Sequence, residues 1–157
     1  MKVLNFDLKY SICFPLKENH VLLIQRLKHP WQSKWNGAGG HIEDGENPKD
    51  AIYREILEEA QIDLRNAKSV RFTGIVTWDV EEEKEYVISG MTPGMFVYVA
   101  ELSEQQKIWM DEQKTREGTI AWKPLAWACD KNNQDVAGNI PYFLSIMLSS
   151  YPHQNFR

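Results

Sequence analysis

Glu55, Glu58 and Glu59 stand at i, i+3 and i+4. At about 100° per residue this spacing gathers three carboxylates within an arc of roughly 100° on a helix. Like charges so placed repel one another. A unit pair 4 Å apart costs ~1 kcal/mol in water and ~4 kcal/mol at an effective dielectric of 20. A half-buried trio would therefore raise its pKa values or recruit a divalent cation. Carboxylate oxygens with no Cys nearby suit Mg²⁺, with Mn²⁺ as the alternative, rather than zinc. By itself a Glu-rich helix face is ordinary solvated surface, and it is the chain around this one that gives it another meaning.

The helix is fixed by signals of its own. Asn47 is a good N-cap, Pro48 fits the first helical position, and Asp50 places an acid at N3. Ile52, Tyr53, Ile56 and Ala60 gather on a different arc, centred roughly 120° from the glutamates, and are expected to face the core. Ahead of the helix, Gly37, Gly39, Gly40 and Gly45 allow backbone conformations closed to other residues, and let main-chain groups approach a ligand or metal. Eight of the 22 acids lie between Glu43 and Asp63, which concentrates negative potential where a cation would bind. Arg26, Lys28, Lys34 and Arg54 lie near that segment and could complement phosphate oxygens.

The remaining chain reads as α/β. Residues 6–15 and 20–28 are expected strands joined by a turn at Lys17, Glu18 and Asn19. A loop with Trp31 and Trp35 follows, then a short strand near Gly39–Glu43 and the acidic helix. Val70–Trp78, Met95–Leu102 and Gly118–Trp122 read as strands, with an exposed loop over Asp79–Gly94. Pro124 precedes a short helical turn. Pro141–Ser149 closes the chain as an amphipathic helix, with Asn139 as its N-cap.

Composition is that of a soluble globular protein, and 157 residues predict one domain over 1–157. The net charge of −4 gives a nucleic-acid polymer no electrostatic welcome. No apolar run approaches the length of a membrane span, and Met1–Asp7 does not resemble a signal peptide. Cys13 and Cys129 match no zinc spacing and are expected to be core thiols. Together these features predict a cytoplasmic protein, monomeric or homodimeric.

Gly40, Glu46, Arg54, Glu55, Ile56, Glu58, Glu59 and Ile62 fall at the spacing of a known signature. It runs Gly, five residues, Glu, seven residues, then Arg-Glu-apolar-x-Glu-Glu-x-Gly-apolar. The chain thus resembles the Nudix hydrolases, Mg²⁺-dependent enzymes that cleave nucleoside diphosphates linked to another group. It departs once, with Gln61 where the family has Gly at the helix end. The resemblance implies the Nudix fold, a mixed β-sheet sandwiched between α-helices, over nearly the whole chain. It implies that the Gly40 carbonyl and Glu55, Glu58 and Glu59 hold the metal, with Glu58 and Glu59 as primary ligands. Glu55 would be a ligand or the base that activates water. Arg54 would orient a glutamate through a bidentate pair with Glu46. Glu117, just before Gly118, corresponds to the further acid that many relatives contribute from a loop.

For substrate, Trp35-Asn36-Gly37-x-Gly39-Gly40 resembles the segment found in MutT-like 8-oxo-dGTP diphosphatases, which have Lys where this chain has His41. Asn139-Ile140-Pro141 resembles the Asn-x-Pro whose Asn contacts the base. Asn36 offers both donor and acceptor to a guanine-like edge, Trp35 and Trp122 could stack on a purine, and Arg26 occupies the position of a phosphate-facing Arg. The activity so implied is hydrolysis of a purine nucleoside triphosphate to the monophosphate and pyrophosphate. The alternatives are a house-cleaning pyrophosphatase acting on another nucleoside diphosphate derivative, and a silent nucleotide-binding domain.

Overall fold

The computed structural model describes residues 5–27, 32–78 and 91–149. Lys28, Trp31 and residues 79–90 of the expected loop lie outside the described residues, as do residues 1–4 at the expected non-signal start.

Strands β1 (Phe6–Lys17) and β2 (His20–Arg26) form a hairpin. Its two turn residues, Glu18 and Asn19, have φ of 50° and 59°. Positive φ at both positions is what a two-residue turn matched to the strand twist requires. The two strands pair only beside this turn, at Leu16 with Val21 and Lys17 with His20. Beyond it they part, and the chain re-enters the gap. β3 (Trp35–Asn36) runs antiparallel along Ile24 and Gln25 of β2, and β4 (Ala38–His41) runs antiparallel along Tyr10–Cys13 of β1. A two-residue strand carries no periodicity, so β3 was not foreseeable from pattern.

β5 (Ser69–Thr77), β6 (Thr92–Glu101), β7 (Gln113–Lys114) and β8 (Gly118–Pro124) complete the sheet. The strand order is β5-β6-β1-β2-β8-β7, with β6 parallel to β1 and the other neighbours antiparallel. The helices are α1 (Pro48–Ala60), α2 (Leu125–Ala128) and α3 (Ile140–Ser149). Alternation along β1 divides the core between the two faces of the sheet. Ile12, Phe14 and Leu16 join Ala128 of α2 and Ile140, Leu144 and Met147 of α3. Cys13 joins Leu22, Ile120 and the Ile52, Ile56 and Ala60 face of α1. The result is a mixed sheet sandwiched between helices. Among the described residues no helix is long and apolar enough to cross a membrane.

Helix α1 is capped at both ends. Asn47 Oδ1 accepts from the Asp50 amide at 2.8 Å, and Asn47 Nδ2 donates to Asp50 Oδ2 at 2.8 Å. At the other end Gln61 is left-handed, with φ 57° and ψ 31°, and its amide donates to the Leu57 carbonyl. The helix therefore stops as a glycine cap would stop it, but a side chain is held where L-residues pay roughly 1–2 kcal/mol. Gln61→Gly should relieve that strain, less the extra entropy glycine gains in the unfolded chain. The expected net stabilisation is about 0.5–1 kcal/mol in urea unfolding with an unchanged m-value. A destabilised variant would show that the Gln61 side chain makes a compensating contact.

Candidate active site

The fork between β1 and β2 puts β4 against the acidic helix. Ser11 of β1 pairs with Gly40 of β4. Its hydroxyl donates to the Pro48 carbonyl at 2.9 Å, which pins the start of α1 to the same strand. Gly40 is thereby pressed on Glu55: a Cβ at position 40 would lie 2.8 Å from Glu55 Oε1. Any larger residue there would have to displace the carboxylate.

Arg54 ties the loop before the helix to the helix itself. Its Nε and Nη2 donate to Glu46 Oε2 and Oε1, both at 2.9 Å, a bidentate pair. Nη1 donates to Glu55 Oε1 at 3.0 Å, and Nη2 also reaches the His41 carbonyl at 3.1 Å. Glu46 Oε1 in turn accepts from the Glu43 amide at 3.1 Å, closing the turn. Arg54 holds the Glu46 carboxyl below its ordinary value, and these acids hold Arg54 firmly protonated.

Beyond Arg54 the carboxylates converge. One oxygen from each of Glu55, Glu59 and Glu117 lies within 4.8 Å of the others. Glu55 is buried. Burial raises its pKa above the usual carboxylate range, opposed by Arg54 and reinforced by the charges of Glu117 and Glu58. Burial likewise raises Glu59, opposed by the nearby Thr115 hydroxyl and Arg116 and reinforced by Glu117 and Glu58. Glu59 Oε2 is buried with no hydrogen-bond partner. Glu117 is exposed at the rim.

Glu58 stands outside this triplet, its carboxylate more than half exposed and 3.6 Å from Arg54 Nη1. Arg26 ends β2 in register with Gly118, the residue after Glu117. On the other branch of the fork, Asn36 is buried and its Oδ1 accepts from the Gly37 amide at 2.7 Å. Trp35 and Trp122 are both core residues, 5% exposed, so neither offers an open ring face for stacking. The Lys123 ammonium sits 4.5 Å from the Trp35 ring centroid. Trp35 instead works through its backbone: its amide donates to the Asp135 carbonyl at 2.8 Å, and its carbonyl accepts from the Ala137 amide at 2.9 Å. These bonds bring the segment before α3 beside β3, and with it Asn139.

Asn139 corrects the expectation of a side-chain cap. Its backbone carbonyl accepts from the amides of Tyr142 and Phe143, at 3.2 and 3.1 Å. A capping side chain bonds the amide of N2 or N3. Here N2 is Pro141, which has no N–H, and N3 is Tyr142, already engaged. Asn139 Oδ1 is left buried without a partner. Sequence reasoning also passed over Ser11, whose hydroxyl joins strand and helix, and Thr115, which sits beside Glu59. Neither belongs to a spaced motif that would single it out.

The NUDIX domain family matches residues 9–143 of this chain. The chain belongs to the Nudix family. It is 28% identical over 136 residues to the uncharacterized Nudix hydrolase YvcI of Bacillus subtilis, covering 87% of this chain and 76% of that one. It is 43% identical to the 8-oxo-dGTP diphosphatase of Proteus vulgaris over 49 residues, which is 31% of this chain and 44% of that protein. The NUDIX domain of Shewanella oneidensis NrtR, solved with ADP ribose, superposes with a TM-score of 0.61 at 19% identity, covering 95% of this chain and 88% of that one. The Nudix protein described here is accordingly a hydrolase acting on phosphorus-containing acid anhydrides.

A divalent metal fits the Nudix site. Oxygens around an octahedral Mg²⁺ at ~2.1 Å stand roughly 3–4.2 Å apart, so a triplet within 4.8 Å needs only a small closing movement. The orphaned Glu59 Oε2 supplies a ready acceptor of positive charge. The pKa shifts give the sign of a test. A carboxyl raised by folding favours the native state below its ordinary pKa, and that contribution is lost as pH rises through the raised value. Metal-free Glu59→Gln should thus be no less stable than the wild type at neutral pH. The wild type should gain ~2.7 kcal/mol at 100 times the metal Kd, or roughly 5–10 °C in Tm, and Glu59→Gln should gain little of it. Equal metal-induced shifts in calorimetry would exclude Glu59 from the ion's ligands.

Proposed function

We propose that this Nudix hydrolase is Mg²⁺-dependent and converts a purine nucleoside triphosphate, of the 8-oxo-dGTP kind, to its monophosphate and pyrophosphate. The observation that carries the catalytic half is the convergence of Glu55, Glu59 and Glu117 beside Gly40. We assign the metal to Glu55, Glu59 and Glu117 with the Gly40 carbonyl, and Glu58 to the same set from its exposed position next to Arg54. All these donors are hard oxygens, which favours Mg²⁺ or Mn²⁺. When bound, the ion supplies positive charge against the polyphosphate oxygens and lowers the pKa of water.

The protein's own groups do the remainder. Arg54 fixes the Glu55 carboxylate through Nη1, and Glu46 fixes Arg54, so the pair positions a ligand and does not touch substrate. A glutamate of the set accepts a proton from the water that attacks the β-phosphorus. Arg26, at the strand end next to Glu117, is assigned to the phosphates. Burial raises Glu55 and Glu59 above the usual carboxylate range, which makes either a stronger base than an ordinary glutamate.

The purine half rests on Asn36 and Asn139, which the Trp35 backbone bonds bring to one branch of the fork. Asn139 Oδ1 is buried without a partner, a cost of ~1–3 kcal/mol that a base N–H would repay. The local likeness to the 8-oxo-dGTP diphosphatase of Proteus vulgaris supports the same class. Asn36 shapes the loop through Gly37, and Trp35 aligns both asparagines from the core. Asn139→Ala should lower kcat/KM for the preferred purine triphosphate by about 10–100-fold, equivalent to ~1.4–2.8 kcal/mol, and leave metal affinity unchanged. A panel of triphosphates, ADP-ribose and coenzyme A, read for pyrophosphate or phosphate release, tests the class. Activity confined to ADP-ribose would overturn the triphosphate assignment and favour the pyrophosphatase acting on another nucleoside diphosphate derivative.

A further inference from the structure

We infer that Thr115 is a positioning residue for the metal-binding carboxylates, its hydroxyl holding the turn that carries Glu117 up to Glu55 and Glu59. The inference rests on the assignment of Glu117 as a ligand.

Glu117 lies in the turn between β7 and β8, and β7 is only two exposed residues long. So short a strand cannot fix the position of a side chain by itself. Thr115 does the fixing. Its Oγ1 accepts from the amides of Glu117 and Gly118, each at 3.2 Å, and donates to the Gly118 carbonyl at 2.9 Å. The Thr115 amide donates to the same carbonyl at 2.7 Å. One hydroxyl therefore satisfies both main-chain donors that flank the Glu117 α-carbon.

The other side of the turn is held by β2. Gly118 has φ 157°, and a Cβ there would stand 2.0 Å from the Gln25 carbonyl oxygen, so the chain can lie this close to β2 only as glycine. The Leu27 amide donates to the Glu117 carbonyl at 3.2 Å. With the backbone clamped from both directions, the Glu117 carboxylate is delivered to within 4.8 Å of the oxygens of Glu55 and Glu59. Like charges oppose that approach, and a pair ~5 Å apart repels by ~3 kcal/mol at an effective dielectric of 20, less where Glu117 meets solvent. A metal-free turn lacking its hydroxyl would yield to this repulsion and carry Glu117 outward. Glu59 Oε2 is buried without a hydrogen-bond partner and is available to an ion.

The test compares Thr115→Val, Thr115→Ser, Glu117→Gln and the wild type. Mn²⁺ affinity is measured without substrate by electron paramagnetic resonance, together with steady-state pyrophosphate release. Thr115→Val keeps the shape and loses the hydroxyl. It should weaken Mn²⁺ about 10-fold, in the range for a partner that orients a ligand. It should also lower kcat more than it raises KM at saturating metal, with circular dichroism unchanged. Thr115→Ser should return both within twofold of the wild type. Wild-type Mn²⁺ affinity in Thr115→Val alongside a weakened Glu117→Gln overturns the inference, as does a Thr115→Ser variant as impaired as Thr115→Val. Wild-type affinity in Glu117→Gln overturns the ligand assignment itself, a separate failure.

Discussion

Carboxylates held together against their own repulsion are the constraint around which this molecule is arranged. Glu55 and Glu59 are driven above their ordinary pKa chiefly by burial, and each feels Glu58 and Glu117 as further negative neighbours. Left to side-chain entropy and Coulomb forces, such groups would turn outward into water. They stay because rigid elements set their α-carbons. Glu55 and Glu59 lie on one well-capped helix whose Ile52, Ile56 and Ala60 are buried against the sheet, and Glu117 sits on a turn clamped to β2.

The parting of β1 from β2 is what lets one sheet serve this site. A hairpin paired along its whole length would leave no place for β3 and β4. Because pairing ends at Leu16 and Val21, the segment from Trp35 to His41 can bond to both strands. One arm presses Gly40 on Glu55. The other binds Asp135 and Ala137 of the segment before α3 through the Trp35 backbone. On the function proposed above, metal and base are recognised by the two arms of a single seven-residue stretch, so the spacing between them is set by backbone pairing.

Much of this was legible in the sequence, and the part that was not has a common cause. Asn47, Pro48 and Asp50 announced the helix start because capping is local chemistry, and the glutamate spacing followed from the helical repeat. The apolar runs gave an α/β chain, and the resemblance to the Nudix hydrolases implied the mixed sheet between helices. What escaped depends on contacts distant in the chain. Helical spacing grouped Glu55 with Glu58 and Glu59, and only the approach of β4 and Arg54 shows how deeply it is buried. Trp35 and Trp122 could have stacked on a base, though tryptophan is more often core, and burial decided for the core. Asn139 read equally well as a cap or a base contact until Pro141 and Tyr142 were seen to offer its side chain no free donor. Gln61 shows the reverse case, where a departure from the family pattern left the geometry intact because left-handed Gln costs little against a helix docked on the core.

On the function proposed above, Arg54 leaves the charge balance of the cluster to an ion. Its guanidinium has no donor nitrogen to spare: Nε and Nη2 hold Glu46, Nη1 holds Glu55, and Nη2 also serves the His41 carbonyl. The cation is saturated on the Glu46 side of Glu55 and cannot reach across to Glu59, whose Oε2 has no partner. Arg116 bears on Glu59 only as a distant charge, the weakest of the influences on its acidity. A second fixed arginine at the cluster would relieve the repulsion permanently and would occupy the space where phosphate oxygens must enter. A divalent ion relieves it only when bound, and brings open positions for the substrate with it. On the function proposed above, the arrangement trades stability of the metal-free protein for a site whose negative charge suits divalent metal.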